Sequence, residues 1–165
     1  MGLTDEKKGR YVDGFQPLTT VCKTDPVSLP VTSGVAISRG DCLVLTSGYL
    51  ALATTLTDVG VDIYIAIGEN TAAEASSDGA KSCLCIPIVN TNIRFQVPVT
   101  TDAILDAADV GVAYNLDGSE DGISNAGAKT DDTAFMVERI DISAAAVAVE
   151  PFGYAIGRFV QYPTS

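Results

Sequence analysis

"ISRGDCLVLTSGYLALATT", residues 37–55, decides the fold class, because three interpretations of this stretch are open. Its Arg-Gly-Asp tripeptide is typical of adhesion ligands, and the uncharged run over residues 42–57 resembles a membrane span. That run is shorter than the roughly 20 apolar residues that a spanning helix needs. It also holds two strand-length apolar runs on either side of a Gly-containing loop, which is the pattern of a β-hairpin.

We predict that this hairpin pairs residues 41–45 with residues 49–53 through the three-residue loop Thr46-Ser47-Gly48, in which the glycine supplies a positive φ. The tripeptide at residues 39–41 then forms the turn that leads into the first strand, since Gly and Asp are favoured in turns. An integrin ligand needs its tripeptide at an exposed loop tip, on a protein that meets animal cells. Nothing else in the sequence indicates either condition.

Alternating apolar residues continue along the chain from residue 34. Ile63 and Ile65 fall on one face of a strand, and Phe95 and Val97 fall on one face of another. Such runs, separated by Gly, Asp, Asn and Ser, are typical of half-buried antiparallel strands. The predicted fold class is therefore all-β, a small antiparallel β-barrel or β-sandwich with an extended N-terminal arm.

Local signals refine this prediction at three places. Pro87 and Pro98 cannot donate to a central ladder, so we expect their strands at a sheet edge or at a bulge. The one helical candidate, residues 100–109, is short enough for a 3₁₀ turn. Residues 133–142 and 154–161 resemble the last strands, and the Ala-rich residues 142–151 are a strand or a loop.

Composition restricts the partners of the chain. Its 165 residues fit one domain. The formal net charge is −11, so the chain would repel a phosphate backbone, and we expect no nucleic-acid partner. Charged residues make up 19% and apolar residues 47%, a mixture that suits a surface partly buried against neighbours. We therefore expect assembly with itself or with another protein.

The start of the chain indicates a cytoplasmic origin, and this compartment determines the expected state of the cysteines. The first residues contain no apolar run that would serve as a secretion signal, and we expect no membrane association. Cys22, Cys42, Cys83 and Cys85 are then expected to be free thiols. Cys83 and Cys85 fall on one face of a strand as small core residues, and their spacing is not that of a zinc site.

No catalytic equipment is recognisable in the sequence. The chain has no histidine, which excludes Ser-His-Asp and Cys-His catalysis. Lys81 and Lys129 each follow alanine rather than the glycine of a phosphate-binding loop. The acidic residues 117–132 are interpreted as a solvated loop, because the expected calcium ligands are missing at Ser119 and Ala128. We expect no enzyme activity, no metal and no cofactor.

The sequence divides into an extended N-terminal arm, residues 1–26, and a single β-domain, residues 27–165. Two interpretations of the arm are open: it packs on its own domain, or it reaches a neighbouring subunit or another protein. In the second case, deletion of residues 1–20 would leave the β-domain folded. The candidate interface consists of the basic cluster and the apolar side chains of the arm, namely Lys7, Lys8, Arg10, Tyr11, Val12, Phe15 and Leu18.

Three stretches carry a resemblance to a known family. They are "VTSGVAISRGDCLVLTSGYL" (31–50), "VDIYIAIGENTAAEASSDGAKSCLCIPI" (61–88) and "ILDAADVGVAYNLDGSEDGIS" (104–124). Their order, over roughly residues 26–160, resembles that of the capsid decoration (cement) proteins of tailed bacteriophages. This chain differs from the shorter members in its arm and in its longer loop after Asp117.

The resemblance implies a structural virion protein. Such a protein is made in the bacterial cytoplasm, binds the outer surface of the capsid and stabilises contacts between major capsid subunits. The implied partners are the major capsid protein and the chain itself, as a homotrimer or homodimer. A receptor-binding or adhesive head-fibre module is the alternative. It would place aromatic side chains on loops, and residues 70–80 and 117–132 contain none.

Overall fold

The computed structural model describes residues 14–18, 25–53, 62–88, 93–98, 107–114, 123, 135–141 and 154–159. Within these ranges the chain forms strands and a single 3₁₀ turn, so the all-β prediction is confirmed. The elements are β1 Gln16–Pro17, β2 Val27–Pro30, β3 Cys42–Thr46, β4 Tyr49–Leu52, β5 Ile63–Ala66, β6 Ser82–Pro87, β7 Phe95–Pro98, the 3₁₀ turn Ala107–Asp109, β8 Ala113–Tyr114, β9 Phe135–Asp141 and β10 Tyr154–Phe159. None of the described segments is a helix long and apolar enough to cross a membrane.

The ten strands of the described residues make two antiparallel sheets. The first sheet has the order β1-β7-β10-β9-β8, and the second has the order β2-β6-β5-β3-β4. One core is built from inward-facing side chains of both sheets, as in a β-sandwich. Of the two predicted architectures, the described residues form the sandwich, with no closed barrel among them.

Phenylalanine rings fill the centre of the core between the sheets. Phe15, Phe95, Phe135 and Phe159 are each at most 1% exposed. Their ring centroids lie 4.9–6.3 Å apart, and four of the five ring pairs meet edge to face. The second sheet contributes aliphatic side chains such as Ile65 to the same cluster. Burial of these rings is the main favourable contribution to packing of one sheet on the other.

A second core lies on the opposite face of the second sheet. Leu43, Leu50 and Cys85 are fully buried there. The loops that follow β2 and β5 cover this face with Ile37 and Ala75. The prediction of a half-buried strand is therefore wrong for β5, because both of its faces are covered.

The edges of the second sheet meet at one end. Val31, directly after β2, forms a parallel bridge with Leu50 of β4. The N–H of Thr32 donates to the carbonyl of Leu50 at 3.0 Å. The sheet therefore curls around its second core, and this end of the two edge strands is occupied by the chain itself.

The prolines lie at strand ends rather than in edge strands. β6 lies between β2 and β5, and β7 lies between β1 and β10, so the expected edge position is wrong. Pro87 is the last residue of β6, and the following Ile88 N–H donates to Ile63 of β5 at 2.8 Å. Since successive N–H groups of a strand alternate in direction, the nitrogen of Pro87 points towards the side of β2. β2 begins only opposite Cys85, so no ladder bond is lost.

The hairpin at the centre of the second sheet is tighter than predicted. Thr46 pairs with Tyr49, so the loop contains two residues, Ser47 and Gly48, and not three. Both have positive φ values, 53° and 88°, as the twist of a two-residue hairpin requires. Elsewhere, Ala107–Asp109 confirms the 3₁₀ turn, and β9 and β10 confirm the last strands. Residues 100–106 and 142–151 lie outside the described residues.

Candidate binding surface

The structure separates the predicted interface residues. Phe15 is fully buried and Leu18 is 44% exposed. Leu18 follows β1, and its N–H donates to the carbonyl of Arg94 at 2.9 Å. Lys7, Lys8, Arg10, Tyr11 and Val12 lie outside the described residues. Leu18 is therefore the one described member of this set that has surface for a partner.

Phe15 is a core residue and not an anchor for another molecule. Its ring lies 4.9 Å from that of Phe159 and 5.5 Å from that of Phe135, measured between centroids. Its N–H donates to the carbonyl of Gly40 at 2.8 Å. Residues 14–18 of the predicted arm thus belong to the β-domain. The side chain of Phe15 completes the hydrophobic cluster that the later strands of both sheets form.

The Arg-Gly-Asp tripeptide forms a turn, as predicted. Asp41 is 5% exposed, and its Oδ2 accepts the N–H of Ser38 at 2.6 Å. The N–H of Asp41 donates to the carbonyl of Ser38 at 3.1 Å, which closes the turn. The carboxylate that an adhesion receptor would bind is therefore held inside the protein, and the adhesion interpretation is excluded.

A cluster of arginines lies on the face of the first sheet that points away from the second. We call this surface the arginine face. Phe95, Val97, Phe135 and Val137 point into the core, so the alternate residues of β7 and β9 point outward. The arginine face comprises Gln16, Leu18, Arg94, Gln96, Met136, Glu138, Arg139, Ile156 and Arg158.

One carboxylate joins two of these arginines across three strands. Arg94 Nε, on the segment that enters β7, lies 2.5 Å from Glu138 Oε2. Arg158 Nε, on β10, lies 2.9 Å from Glu138 Oε1. The three side chains are 30–37% exposed, so the ion pairs are partly shielded from solvent. The network fixes the direction of both guanidinium groups on a rigid sheet.

A β-bulge adds the third arginine to this surface. Ile156 pairs with Arg139, whereas the next residue, Gly157, pairs with Val137, so Glu138 and Arg139 both oppose Ile156. The extra residue keeps Glu138 and the exposed Arg139 on the outward side of β9. Gly157 permits the bulge, because a Cβ atom there would overlap the carbonyl oxygen of Met136.

The remaining members of the arginine face are apolar or uncharged. Leu18, Met136 and Ile156 are partly exposed, and Gln16 pairs with Gln96 across β1 and β7. Arginine and methionine are enriched at protein–protein interfaces, whereas lysine, glutamate, aspartate, serine and alanine are depleted. The described side chains of this face include none of the depleted types except Glu138. Its composition is therefore that of an interface.

The arginine face is formed by residues that are far apart in the sequence, and local sequence patterns do not predict it. Arg94 and Glu138 are separated by 44 residues, and Glu138 and Arg158 by 20. In its local sequence, each arginine resembles an ordinary solvent-exposed residue of a strand. The outward position of Arg94, between the buried Ile93 and Phe95, was the one available signal. This alternation indicated that the side chain of Arg94 points away from the core, but it did not indicate which strands would be its neighbours.

The described thiols are buried and have no access to a substrate. Cys42, Cys83 and Cys85 are free and at most 2% exposed. Burial raises the pKa of Cys42 and of Cys83, and it raises the pKa of Cys85 to about 12. The prediction that Cys83 and Cys85 are core residues on one strand face is confirmed. Cys22 lies outside the described residues.

Acidic side chains elsewhere stabilise loops. Glu74 Oε2 accepts the N–H of Thr71 at 2.8 Å, and Glu74 Oε1 lies 3.0 Å from Lys81 Nζ. The backbone hydrogen bond, followed by the contacts of Lys81, lowers the pKa of Glu74 to about 2. No group of three potential metal ligands occurs in the part of the chain that the structure describes. The predicted acidic loop, residues 117–132, lies outside the described residues except for Ile123. The side chain of Ile123 is buried in the core between the sheets.

The chain was compared with protein families, curated proteins and solved structures. No family model, no curated protein and no solved structure matches the chain.

Proposed function

We propose that the chain is a structural virion protein that binds the outer surface of a phage capsid and stabilises contacts between major capsid subunits. The proposal rests on the sequence resemblance to capsid decoration proteins of tailed bacteriophages. The observation from the structure that favours a binding role is the arginine face. It is a preformed, partly apolar surface of interface-like composition on a chain with a net charge of −11.

Binding is also a better interpretation than catalysis for the described residues. The buried thiols are protonated at neutral pH, and Asp41 is engaged in the turn that begins at Ser38. A nucleophile needs access to its substrate, and each of these groups is at most 5% exposed. The chain also contains no histidine to act as a general base.

Rigid sheets suit a protein that reinforces a shell. The first sheet, which carries the arginine face, packs through the phenylalanine core on the second sheet, and the second sheet is also covered on its other face. A surface carried by such a framework loses little conformational entropy when it binds. The implied partners are the major capsid protein and further copies of the chain, as a homotrimer or homodimer, and the implied location is the outside of the capsid.

Purified protein added to undecorated heads tests this function. We expect saturable co-sedimentation with a fixed number of copies per capsid subunit, and regular density on the shell in electron micrographs. We also expect decorated heads to resist heat or chelation better than undecorated heads. Failure to co-sediment at micromolar protein would refute the proposal. Binding at only a few positions per head would instead favour the head-fibre alternative.

A further inference from the structure

We propose that the arginine face is the surface that contacts the capsid, and that it binds an acidic patch on the exterior of the major capsid protein. This inference rests on the proposed function and specifies the surface and the chemistry of its partner. It places recognition on the outward side of the first sheet.

Charge gives the first argument. Three arginines and one glutamate give the described side chains of the arginine face a net charge of +2, while the whole chain carries −11. The described residues of 25–88 contain six acidic and only two basic side chains. Among the described residues, an acidic partner is therefore repelled by the surface of residues 25–88 and attracted by the arginine face, which favours one orientation of docking.

The geometry of the guanidinium groups gives the second argument. Arg94 and Arg158 both contact Glu138 through Nε. These contacts hold both guanidinium groups beside one carboxylate, and the planar fork of a guanidinium group matches the geometry of carboxylates. The single negative charge of Glu138 is shared between the two guanidinium groups. The three side chains together therefore keep a net positive charge, and the orientation of both guanidinium groups is fixed. Such preorganisation lowers the entropic cost of binding.

Apolar side chains give the third argument. Leu18, Met136 and Ile156 lie among the arginines and are partly exposed. Ion pairs at an interface supply orientation and rate, whereas burial of apolar area supplies most of the affinity. The arginine face provides both contributions on one surface, as a specific protein contact requires.

Other occupants fit this surface less well. A second copy that used the same face about a twofold axis would place arginines against arginines. Nucleic acid would meet the arginines, but the remaining acidic surface of the chain would repel it. An acidic protein surface satisfies the face without either penalty.

Two single substitutions with the same effect on total charge test the inference. Arg139→Glu reverses an exposed charge on the arginine face. Arg39→Glu reverses an exposed charge in the Ser38–Asp41 turn, which is not part of that face. Binding of each variant and of the wild type to undecorated heads is measured by co-sedimentation at low and at moderate salt. Circular dichroism and thermal unfolding confirm that each variant is folded.

We expect Arg139→Glu to raise the dissociation constant about tenfold or more at low salt, and Arg39→Glu to change it less than about threefold. The salt dependence should be shallower for Arg139→Glu than for the wild type. In hydrogen exchange, bound wild-type protein should show protection of β9 and β10, a readout that needs no substitution.

The outcomes are distinguishable. If wild-type protein does not bind heads, the proposed function is wrong and the inference is wrong with it. If wild-type protein binds heads but the two variants bind equally well, only the inference is wrong. If the wild type binds duplex DNA at the same salt and Arg139→Glu abolishes this, the arginine face is a nucleic-acid surface and the acidic protein partner is refuted.

Discussion

The rings of Phe15 and Phe159 pack against each other with 4.9 Å between their centroids. Phe15 precedes the first described strand and Phe159 ends the last described strand. The contact therefore joins the N-terminal segment to the C-terminal strand inside the core. Residues that we expected to form an extended arm contribute the ring at the centre of the aromatic cluster.

Substitution of this ring should destabilise the whole domain. We expect Phe15→Ala to lower the free energy of unfolding by about 3–5 kcal/mol, because it leaves a cavity among three other phenylalanines. Urea denaturation followed by circular dichroism measures the change. Leu18→Ala, at a position 44% exposed, is the matched control and should change the free energy by less than about 1 kcal/mol. Equal effects of both would show that the ring is not part of the core.

Truncation should separate the two parts of the predicted arm. Deletion of residues 1–12 leaves every described contact of residues 14–18 in place, so we expect a cooperative unfolding transition near that of the wild type. Deletion of residues 1–20 removes Phe15 and β1, and we expect loss of cooperative folding or a large fall in stability. This reverses the earlier expectation for the longer deletion. Near-native stability of the longer deletion, measured by thermal unfolding, would support the detached arm.

Gly157 should tolerate no side chain. A Cβ atom there would overlap the carbonyl oxygen of Met136 and lie 2.8 Å from Cε1 of Phe135. We expect Gly157→Ala to cost about 3 kcal/mol or more in unfolding free energy, since the bulge has to shift. Gly111→Ala is the comparison, because its Cβ would meet open space and only the positive φ of 84° is strained. It should cost about 1 kcal/mol, and a reversed order of the two effects would contradict the bulge geometry.

The loop that covers the second core should respond to pH through Glu74. Hydrogen bonds and Lys81 hold the pKa of Glu74 at about 2, below its ordinary value of 4.5. A depressed folded-state pKa stabilises the fold above pH 4.5, and this contribution is lost as the pH falls from 4.5 towards 2. We expect Glu74→Gln to lower the melting temperature slightly at pH 7 and to converge with the wild type near pH 2. Added salt should reduce the difference, because the group is exposed. A difference that is independent of pH would exclude the carboxylate as its source.

Thiol labelling should report on unfolding. In a Cys22→Ser variant, the three remaining thiols are buried and have raised pKa values, so we expect almost no reaction with a thiol reagent at pH 8 in the native protein. All three should react once the protein is denatured without reductant. Rapid labelling of the native protein would show that the second core opens under native conditions. Fewer than three reactive thiols after denaturation would indicate a disulfide.

Local patterns in the sequence predicted strands β3 to β7, β9 and β10, the position of the central hairpin and the Arg-Gly-Asp turn, but not β1, β2 or the two-residue length of the hairpin loop. Alternation of apolar residues has a period of two, a local property that does not depend on neighbouring strands, so Ile63 with Ile65 and Phe95 with Val97 could be assigned to buried faces. The Arg-Gly-Asp turn and the burial of Cys83 and Cys85 followed from the same local rules.

The tertiary structure alone decided which strands are neighbours and what covers their faces. The second sheet is covered on both sides because distant loops fold over it, and Phe15 is buried because β7, β9 and β10 leave room for its ring. The arginine face exists because strand order and one bulge bring Arg94 and Arg158 to the same carboxylate of Glu138. Pairing and register depend on contacts between residues far apart in sequence, and no local pattern contains that information.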